Sequence, residues 1–194
     1  IGHLTTGFLG TPYLTDALTE SGHLDEAYRL LMNKKYPSWL YPITQGATTI
    51  WERWDGQKPD GSFQDISMNS FNHYAYGAIG EWMYRVMGGL ELDPAEPGYK
   101  HILIQPQPGG GMTSVRLSHD SMYGRVGSSW KIVEGRFELA VEIPANTRAT
   151  VRLPRASLAQ VTESGARLTK ATQDGQTVVV EIGSGRYTFA YPFK

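Results

Sequence analysis

The chain changes character at Gly88-Gly89. Before this pair, apolar residues recur at helical spacing. After it, prolines and the run Gly109-Gly110-Gly111 separate short alternating segments. Because helices and strands have different hydrophobic periods, such a change marks a change of fold. The sequence therefore predicts two domains, helices over 1–89 and a β domain over 90–194.

The β part has the pattern of an antiparallel sandwich. Its predicted strands are alternating or β-branched runs: His101–Gln105, Ser114–Ser118, Ser128–Val133, Arg136–Ile143, Ala149–Leu153, Thr177–Ile182 and Tyr187–Tyr191. Turn signals such as Glu134-Gly135 and Asp174-Gly175 separate several of them. Strict alternation from Arg136 to Ile143 predicts one face in the core and one in water. No candidate catalytic cluster is visible in this part.

The first part is predicted to be helical. Thr11-Pro12 predicts a helix start, with Thr11 as the N-cap, and a second helix is predicted from Leu24 after a break at Gly22. The strongest helical pattern runs from Asn69 to Met87 and carries few charges on any side. That pattern predicts a helix buried on most faces, which would place His73 in the interior.

A long segment from Tyr36 to Met68 has neither a helical nor a strand period. Uncovered segments of this length in compact domains are usually functional or disordered. Three of the five tryptophans of the chain lie here, namely Trp39, Trp51 and Trp54, and such aromatic content argues against disorder. The segment is therefore the first place to look for chemistry.

Within it, Glu52 stands between Trp51 and Trp54. Tryptophan faces pack on sugar rings, and desolvation by such neighbours would raise the pKa of the carboxyl group toward that of a general base. A structural interpretation stays open beside the catalytic one: Glu52 pairs with a nearby arginine and the tryptophans fill a core. A histidine at interior depth such as His73 is likewise more often structural than catalytic.

Other titratable residues are explained without catalysis. Glu20 and Glu26 lie on predicted helices. Asp55, Asp60 and Asp65 lie in the same long segment as Glu52, but turn and capping roles suit Asp55-Gly56 and Asp60-Gly61 better. No spacing of His, Asp and Glu suggests a metal site, and no cofactor motif is present. We therefore expect neither metal nor cofactor.

The composition of the chain limits the kinds of partner that it is expected to bind. The formal net charge is -1, from 18 basic and 19 acidic residues, so neither a nucleic acid nor an anionic membrane is expected as a partner, and a neutral substrate fits better. No apolar run reaches membrane-spanning length. The absence of cysteine excludes disulfides and thiolate chemistry but does not decide between a cytoplasmic and an exported protein.

Four blocks in order carry a family resemblance: Thr6 to Thr11 (TGFLGT), Tyr36 to Leu40 (YPSWL), Gly46 to Trp54 (GATTIWERW) and Ser70 to Gly77 (SFNHYAYG). Together they resemble the C-terminal part of the bacterial α-L-rhamnosidases of glycoside hydrolase family 78. The β-rich remainder is similar to the C-terminal β-sandwich domain of that family in its position and in its pattern of short strands, rather than by a specific motif. The resemblance implies the last helices of an (α/α)6 barrel followed by a β-sandwich.

The resemblance also implies roles for individual residues. Family members invert the anomeric carbon, with two carboxyl groups far enough apart to admit a water molecule. The general base falls on Glu52, and His73 falls on the histidine that hydrogen-bonds the bound rhamnose. Trp51 and Trp54 are expected to wall the pocket. The substrates implied are rhamnose-containing glycosides.

The start Ile1-Gly2-His3-Leu4, without Met or leader, predicts an internal piece of a longer protein. The general acid is expected upstream of Ile1, so the chain alone would be inactive. Phe71, Trp82 and Met83 would lie in water unless the rest of the barrel, or a second copy, covered them. The alternative is a non-catalytic carbohydrate-binding or structural sandwich module with a helical stub.

Overall fold

The computed structural model describes residues 2–193. It divides into two compact units, Ile1–Trp82 and Met83–Lys194. The first holds helices and a long irregular segment, and the second holds the strands. The predicted fold class, helices followed by an antiparallel sheet-rich domain, is confirmed.

The first unit opens with α1 (Thr11–Glu20) and α2 (Leu24–Leu31). Their connection contains Gly22 at φ +84°, a conformation that residues with a Cβ seldom adopt. The prediction that Thr11 caps α1 is wrong, because Gly10 is the N-cap and makes no side-chain bond. Thr11 lies one residue further inside, where its hydroxyl donates to the carbonyl of Gly7 at 2.8 Å.

The predicted helix from Asn69 to Met87 is wrong over its first turn and a half. Helical structure begins with a 3₁₀ turn at Ala75–Ala78, continues as α4 (Ile79–Trp82), and a π-helical turn, Met83–Met87, opens the second unit. Ser70 O instead accepts from Glu52 N, and His73 N donates to Ile50 O, so these peptide groups cannot also complete a helix.

Burial along this stretch is uneven, which corrects the expectation of a helix buried on most faces. Tyr74 is 87% exposed and His73 is partly exposed rather than interior. Trp82, in contrast, is only 1% exposed. Its ring meets Tyr28 of α2 edge-on at 5.1 Å, and its Nε1 donates to Thr19 Oγ1 of α1 at 3.0 Å. The first unit therefore covers Trp82 with its own helices, and the expectation that this side chain would lie in water is wrong.

The irregular segment from Tyr36 to Met68 contains α3 (Leu40–Thr44) and a 3₁₀ turn at Ile66–Met68. Trp39, Tyr41 and Trp51 are buried in it, as the aromatic content predicts. A segment with so little regular structure is held by side chains, and these positions form part of the core of the first unit.

The second unit is built from strands listed here in chain order: β1 (Leu90–Leu92), β2 (His101–Ile104), β3 (Ser114–Ser121), β4 (Gly124–Val133), β5 (Arg136–Ile143), β6 (Arg148–Pro154), β7 (Thr162–Glu163), β8 (Ala166–Arg167), β9 (Thr172–Asp174), β10 (Thr177–Ile182) and β11 (Gly185–Pro192). They form a five-stranded sheet in the order β1-β2-β6-β10-β9 and a six-stranded sheet in the order β3-β4-β5-β11-β7-β8. Neighbouring strands are antiparallel except for the parallel pair β2 and β6.

One apolar core lies between the two sheets. Phe137, Leu139, Val141 and Ile143 of β5 are at most 3% exposed, and the residues between them are more exposed, as the alternation predicts. Burial of this side-chain layer is the main favourable term in the stability of such a sandwich.

The segment that precedes β1 is fastened to this sandwich. Trp130 Nε1 donates to the carbonyl of Met87 at 2.7 Å, and Ser128 Oγ donates to that of Gly88 at 2.6 Å. Gly89 has φ +72°, and a Cβ there would lie 2.0 Å from the backbone nitrogen of Pro106. Glycine is therefore required where the helical pattern gives way to strands.

Candidate active site

Two short segments of the first unit pair with each other. Glu52 N donates to Ser70 O at 2.9 Å, and His73 N donates to Ile50 O at 2.8 Å. The Thr49 hydroxyl donates to the Phe71 carbonyl between them. This pairing brings the two principal predicted site residues, Glu52 and His73, onto adjoining stretches of chain.

The carboxylate of Glu52 is held by the segment that faces it. Its Oε2 accepts a hydrogen bond from Ser70 N at 2.7 Å. Ser70 therefore bonds to Glu52 twice, through its N–H and through its carbonyl oxygen. Within residues 2–193, Oε1 accepts no hydrogen bond. The described residues do not show the structural alternative, an ion pair between Glu52 and an arginine, because Arg53 forms its ion pair with Asp55. One carboxylate oxygen is thus anchored while the other can accept a proton.

The imidazole of His73 has a defined orientation. Its Nδ1 accepts from Ala75 N at 3.3 Å, so the neutral ring carries its proton on Nε2. Phe8 stacks on the ring at a centroid distance of 4.9 Å, and Tyr74 stacks on it at 5.2 Å. The available Nε2–H is a hydrogen-bond donor of the kind that binds sugar hydroxyl groups.

The two tryptophans beside Glu52 have different surroundings. Trp51 is 6% exposed and meets Phe71 edge-on at 5.0 Å, so most of its surface is already packed. Trp54 is partly exposed, stacks on Tyr76 at 3.6 Å and meets Trp39 edge-on at 5.8 Å. Of the two, Trp54 presents more surface on which a ligand could pack.

The sequence did not reveal a polar network that braces this loop. Asp55 stands in the predicted turn, which Gly56 N closes on Arg53 O at 3.3 Å, and its carboxylate accepts from Arg53 Nε at 3.2 Å and from Gln64 Nε2 at 2.5 Å. Asn69 Nδ2 donates to the carbonyls of Gly56 and Gln64. These bonds join residues up to thirteen positions apart, and short-range patterns carry no signal for them.

Asp60 has the turn role that the sequence predicts, and Asp65 caps a short 3₁₀ turn. The hydroxyl of Ser62, together with its N–H, holds the pKa of Asp60 below its ordinary value, and Ser67 does the same for the pKa of Asp65, the N-cap of a 3₁₀ turn. Both carboxylates are therefore occupied locally, and neither is placed to act as a second catalytic acid.

A second polar cluster lies in the sandwich, and sequence reasoning missed it. His101, buried in β2, contacts Asp93 Oδ2 through Nδ1 at 2.7 Å and Thr150 Oγ1 through Nε2 at 2.9 Å. Thr150 in turn donates to Glu181 Oε1 at 2.6 Å, so it accepts from His101. The N–H of Ala95, followed by His101, holds the pKa of Asp93 below its ordinary value.

Two features of the described residues bear on possible partners. Residues 2–193 contain no group of three or more His, Cys, Asp or Glu side chains arranged to hold a metal ion. In the same part of the chain, no helix is long and apolar enough to cross a lipid bilayer.

The class of the chain follows from its similarity to known families. Residues 1–87 match the family model described as the bacterial alpha-L-rhamnosidase 6 hairpin glycosidase domain, so the helical unit is of the six-hairpin glycosidase class. Residues 89–167 match the model of the bacterial alpha-L-rhamnosidase C-terminal domain. The chain belongs to the bacterial α-L-rhamnosidase family, as the four sequence blocks suggest.

Individual relatives agree with the family models. The chain is 48% identical over 187 residues to an alpha-L-rhamnosidase of Streptomyces avermitilis, covering 96% of this chain and 18% of that protein. It is 50% identical over 152 residues to one from Formosa agariphila, covering 78% of this chain and 16% of the relative. The chain therefore spans less than a fifth of the length of these relatives.

Solved structures show the same correspondence. The crystal structure of the Streptomyces avermitilis alpha-L-rhamnosidase complexed with L-rhamnose superposes with a TM-score of 0.88 at 46% identity, covering 97% of this chain and 18% of that one. The structure of the native rhamnosidase from Aspergillus terreus gives a TM-score of 0.83 at 37% identity, covering 97% and 20%.

Proposed function

We propose that this chain is part of an inverting α-L-rhamnosidase that hydrolyses terminal α-L-rhamnose from glycosides. The observation that carries the proposal is the pairing of residues 49–52 with 70–73, which holds Glu52 and His73 on adjoining segments. The names of the relatives support the substrate class.

In this proposal Glu52 is the general base. A water molecule on the face of the sugar opposite the leaving group loses a proton to Oε1, while Ser70 N–H holds Oε2. The water oxygen bonds to the anomeric carbon as the bond to the leaving oxygen breaks, and a general acid protonates that oxygen. The two carboxyl groups of an inverting enzyme stand roughly 6.5–9.5 Å apart to admit the water.

His73 and the tryptophans bind substrate. Nε2–H of His73 donates to a rhamnose hydroxyl, and Trp54 offers an aromatic surface to the sugar. Trp51 also lines the pocket, while the buried part of its ring packs inside the loop. We assign the general acid to the part of the relatives' length that this chain does not span, so the chain alone should not hydrolyse a rhamnoside.

The remainder of the barrel is the proposed partner of the first unit. Leu9 and Ile66 are 89% and 94% exposed, together with Tyr74. Transfer of such exposed apolar side chains out of water is favourable. Further helices of a barrel, on the same polypeptide or on an associated copy, would cover them.

We also propose the domain division 1–89 and 90–194. The ranges of the two family models, 1–87 and 89–167, support a boundary at this point. Ser128 and Trp130 of β4 donate to the carbonyls of Gly88 and Met87, so the residues just before the proposed boundary are bonded to a strand of the sandwich.

The experiment is proton NMR of the reaction of the full-length enzyme that contains this chain with an aryl α-L-rhamnoside. β-L-Rhamnose should appear first and then mutarotate. First appearance of the α-anomer would refute inversion and the role of Glu52 as base. Absence of hydrolysis, with rhamnose bound on the sandwich, would favour the non-catalytic binding module.

A further inference from the structure

The ring of His73 is one member of a longer stack. Phe8, which lies on its face, also packs against Tyr76 at 5.3 Å, and Tyr76 stacks on Trp54 at 3.6 Å. Trp54 meets Trp39 edge-on at 5.8 Å. We call these five rings the aromatic column. It connects the proposed sugar-binding histidine with the tryptophan beside the proposed base.

The inner end of the aromatic column is buried. Trp39 and Tyr76 are 8% and 7% exposed, and Trp39 Nε1 donates to the Tyr76 carbonyl at 3.0 Å. The other ring on His73, Tyr74, is its sequence neighbour and is 87% exposed, so the core does not restrain it. Phe8 is therefore the only ring of the column that links His73 to buried structure in residues 2–193.

The flat ring of Phe8 determines the orientation of the His73 imidazole. Stacking on Phe8 fixes the plane of the ring, and the Ala75 N–H bond to Nδ1 fixes which edge points away. Together they aim Nε2–H in one direction. A hydrogen bond to a sugar hydroxyl is strong only when the donor is aligned with the acceptor, so loss of the stack should weaken binding.

We propose that Phe8 is a positioning residue for His73 and thereby determines the affinity of the site for rhamnose. This inference rests on the proposed sugar-binding role of His73. Phe8 lies 65 positions before His73, and its side chain acts through the imidazole rather than on the substrate.

The test is made on the full-length enzyme that contains this chain, with an aryl α-L-rhamnoside for KM and kcat and with L-rhamnose as a competitive inhibitor. Phe8→Leu should raise KM and the inhibition constant of rhamnose about five- to tenfold and change kcat less than about twofold. Phe8→Tyr, which keeps the flat ring, should stay within about twofold of the wild type.

The control is Phe63→Leu, the same substitution at a ring that is 62% exposed and contacts Phe71 rather than His73. It should leave the inhibition constant unchanged. If Phe8→Leu does not fold, Phe8→Met replaces it, because Met fills a similar volume without a flat face. An unchanged inhibition constant in the folded variant overturns the proposal.

A double-mutant cycle separates this inference from the proposed function. Combined with His73→Ala, Phe8→Leu should weaken rhamnose binding no further, because the group that it positions is gone. An equal effect of Phe8→Leu in both backgrounds refutes positioning through His73. No effect of His73→Ala on rhamnose binding refutes the proposed role of His73 itself, whatever Phe8→Leu does.

Discussion

Replacement of Glu52 by glutamine is the sharpest test of the proposed mechanism. Ser70 N–H lies 2.7 Å from Oε2 and requires an acceptor there. The glutamine side chain must therefore place its carbonyl oxygen toward Ser70 and its NH₂ group where Oε1 stands in the wild type. The variant keeps the anchoring bond but presents a donor to the attacking water. It cannot accept the proton.

The expected magnitude follows from that geometry. Loss of general-base catalysis should lower kcat about 10²- to 10⁴-fold, or ~3–5 kcal/mol in activation free energy. Stability should fall by only ~1 kcal/mol, because a neutral hydrogen bond replaces a charge-assisted one. Rhamnose binding should change little.

The assay is steady-state hydrolysis of an aryl α-L-rhamnoside by the full-length enzyme, with thermal unfolding of the same samples. Glu20→Gln is the matched control, because Glu20 is an exposed residue at the end of α1. Azide should restore part of the turnover of a Glu52→Ala variant by replacing the activated water. A kcat of Glu52→Gln near that of the wild type would remove Glu52 from the mechanism.

Three further outcomes follow from the structure. His73→Ala should raise KM about tenfold with little loss of thermal stability, because the ring is partly exposed and its side chain accepts one backbone bond. Trp82→Phe should lower the free energy of unfolding in urea by about 1–3 kcal/mol, since it removes the bond to Thr19 and leaves a gap. Asp93→Asn should destabilise the 194-residue chain near neutral pH. Because the pKa of Asp93 is lower in the fold than its unfolded value of about 4, this stabilisation is fully present above that value, and the difference from the wild type should shrink as the pH falls below it through the folded-state pKa.

Each of these outcomes can fail in a recognisable way. An unchanged KM with a large drop in melting temperature would make His73 a structural residue. If Trp82→Phe matched the wild type while Thr19→Val was destabilised, the indole N–H would not be the group that matters. A destabilisation of Asp93→Asn that did not shrink as the pH fell below the unfolded carboxyl pKa of about 4 would show that side-chain shape, rather than charge, links Asp93 to His101.

Much of the β-sandwich could be predicted from the sequence. The predicted strands Arg136–Ile143 and Thr177–Ile182 coincide with β5 and β10, and the turn at Glu134-Gly135 has both residues at positive φ. Alternation and turn chemistry are local properties, so neighbouring residues already contain the information. The parallel pairing of β2 with β6 has no such local signal.

The candidate site also has features that the sequence predicts and features that it does not. The residues with suitable chemistry, Glu52 between two tryptophans and His73 in an aromatic block, were visible in the sequence because residue type decides what a side chain can accept or donate. The start of the helix at Ala75 was not visible. Residues 70–73 have helical spacing, but their peptide groups bond to a distant segment, and tertiary bonds override local propensity.

The sequence by itself thus determined the succession of helices and sandwich and the residues able to act as base and donor. Only the tertiary structure decided how they are held: Ser70 on the Glu52 carboxylate, Phe8 on the His73 ring, and Asp93 and Thr150 on His101. These partners are 8 to 65 positions apart. Contacts of this kind arise when the chain closes its loops and buries its aromatic side chains, and no periodicity of the sequence records which distant residues will meet.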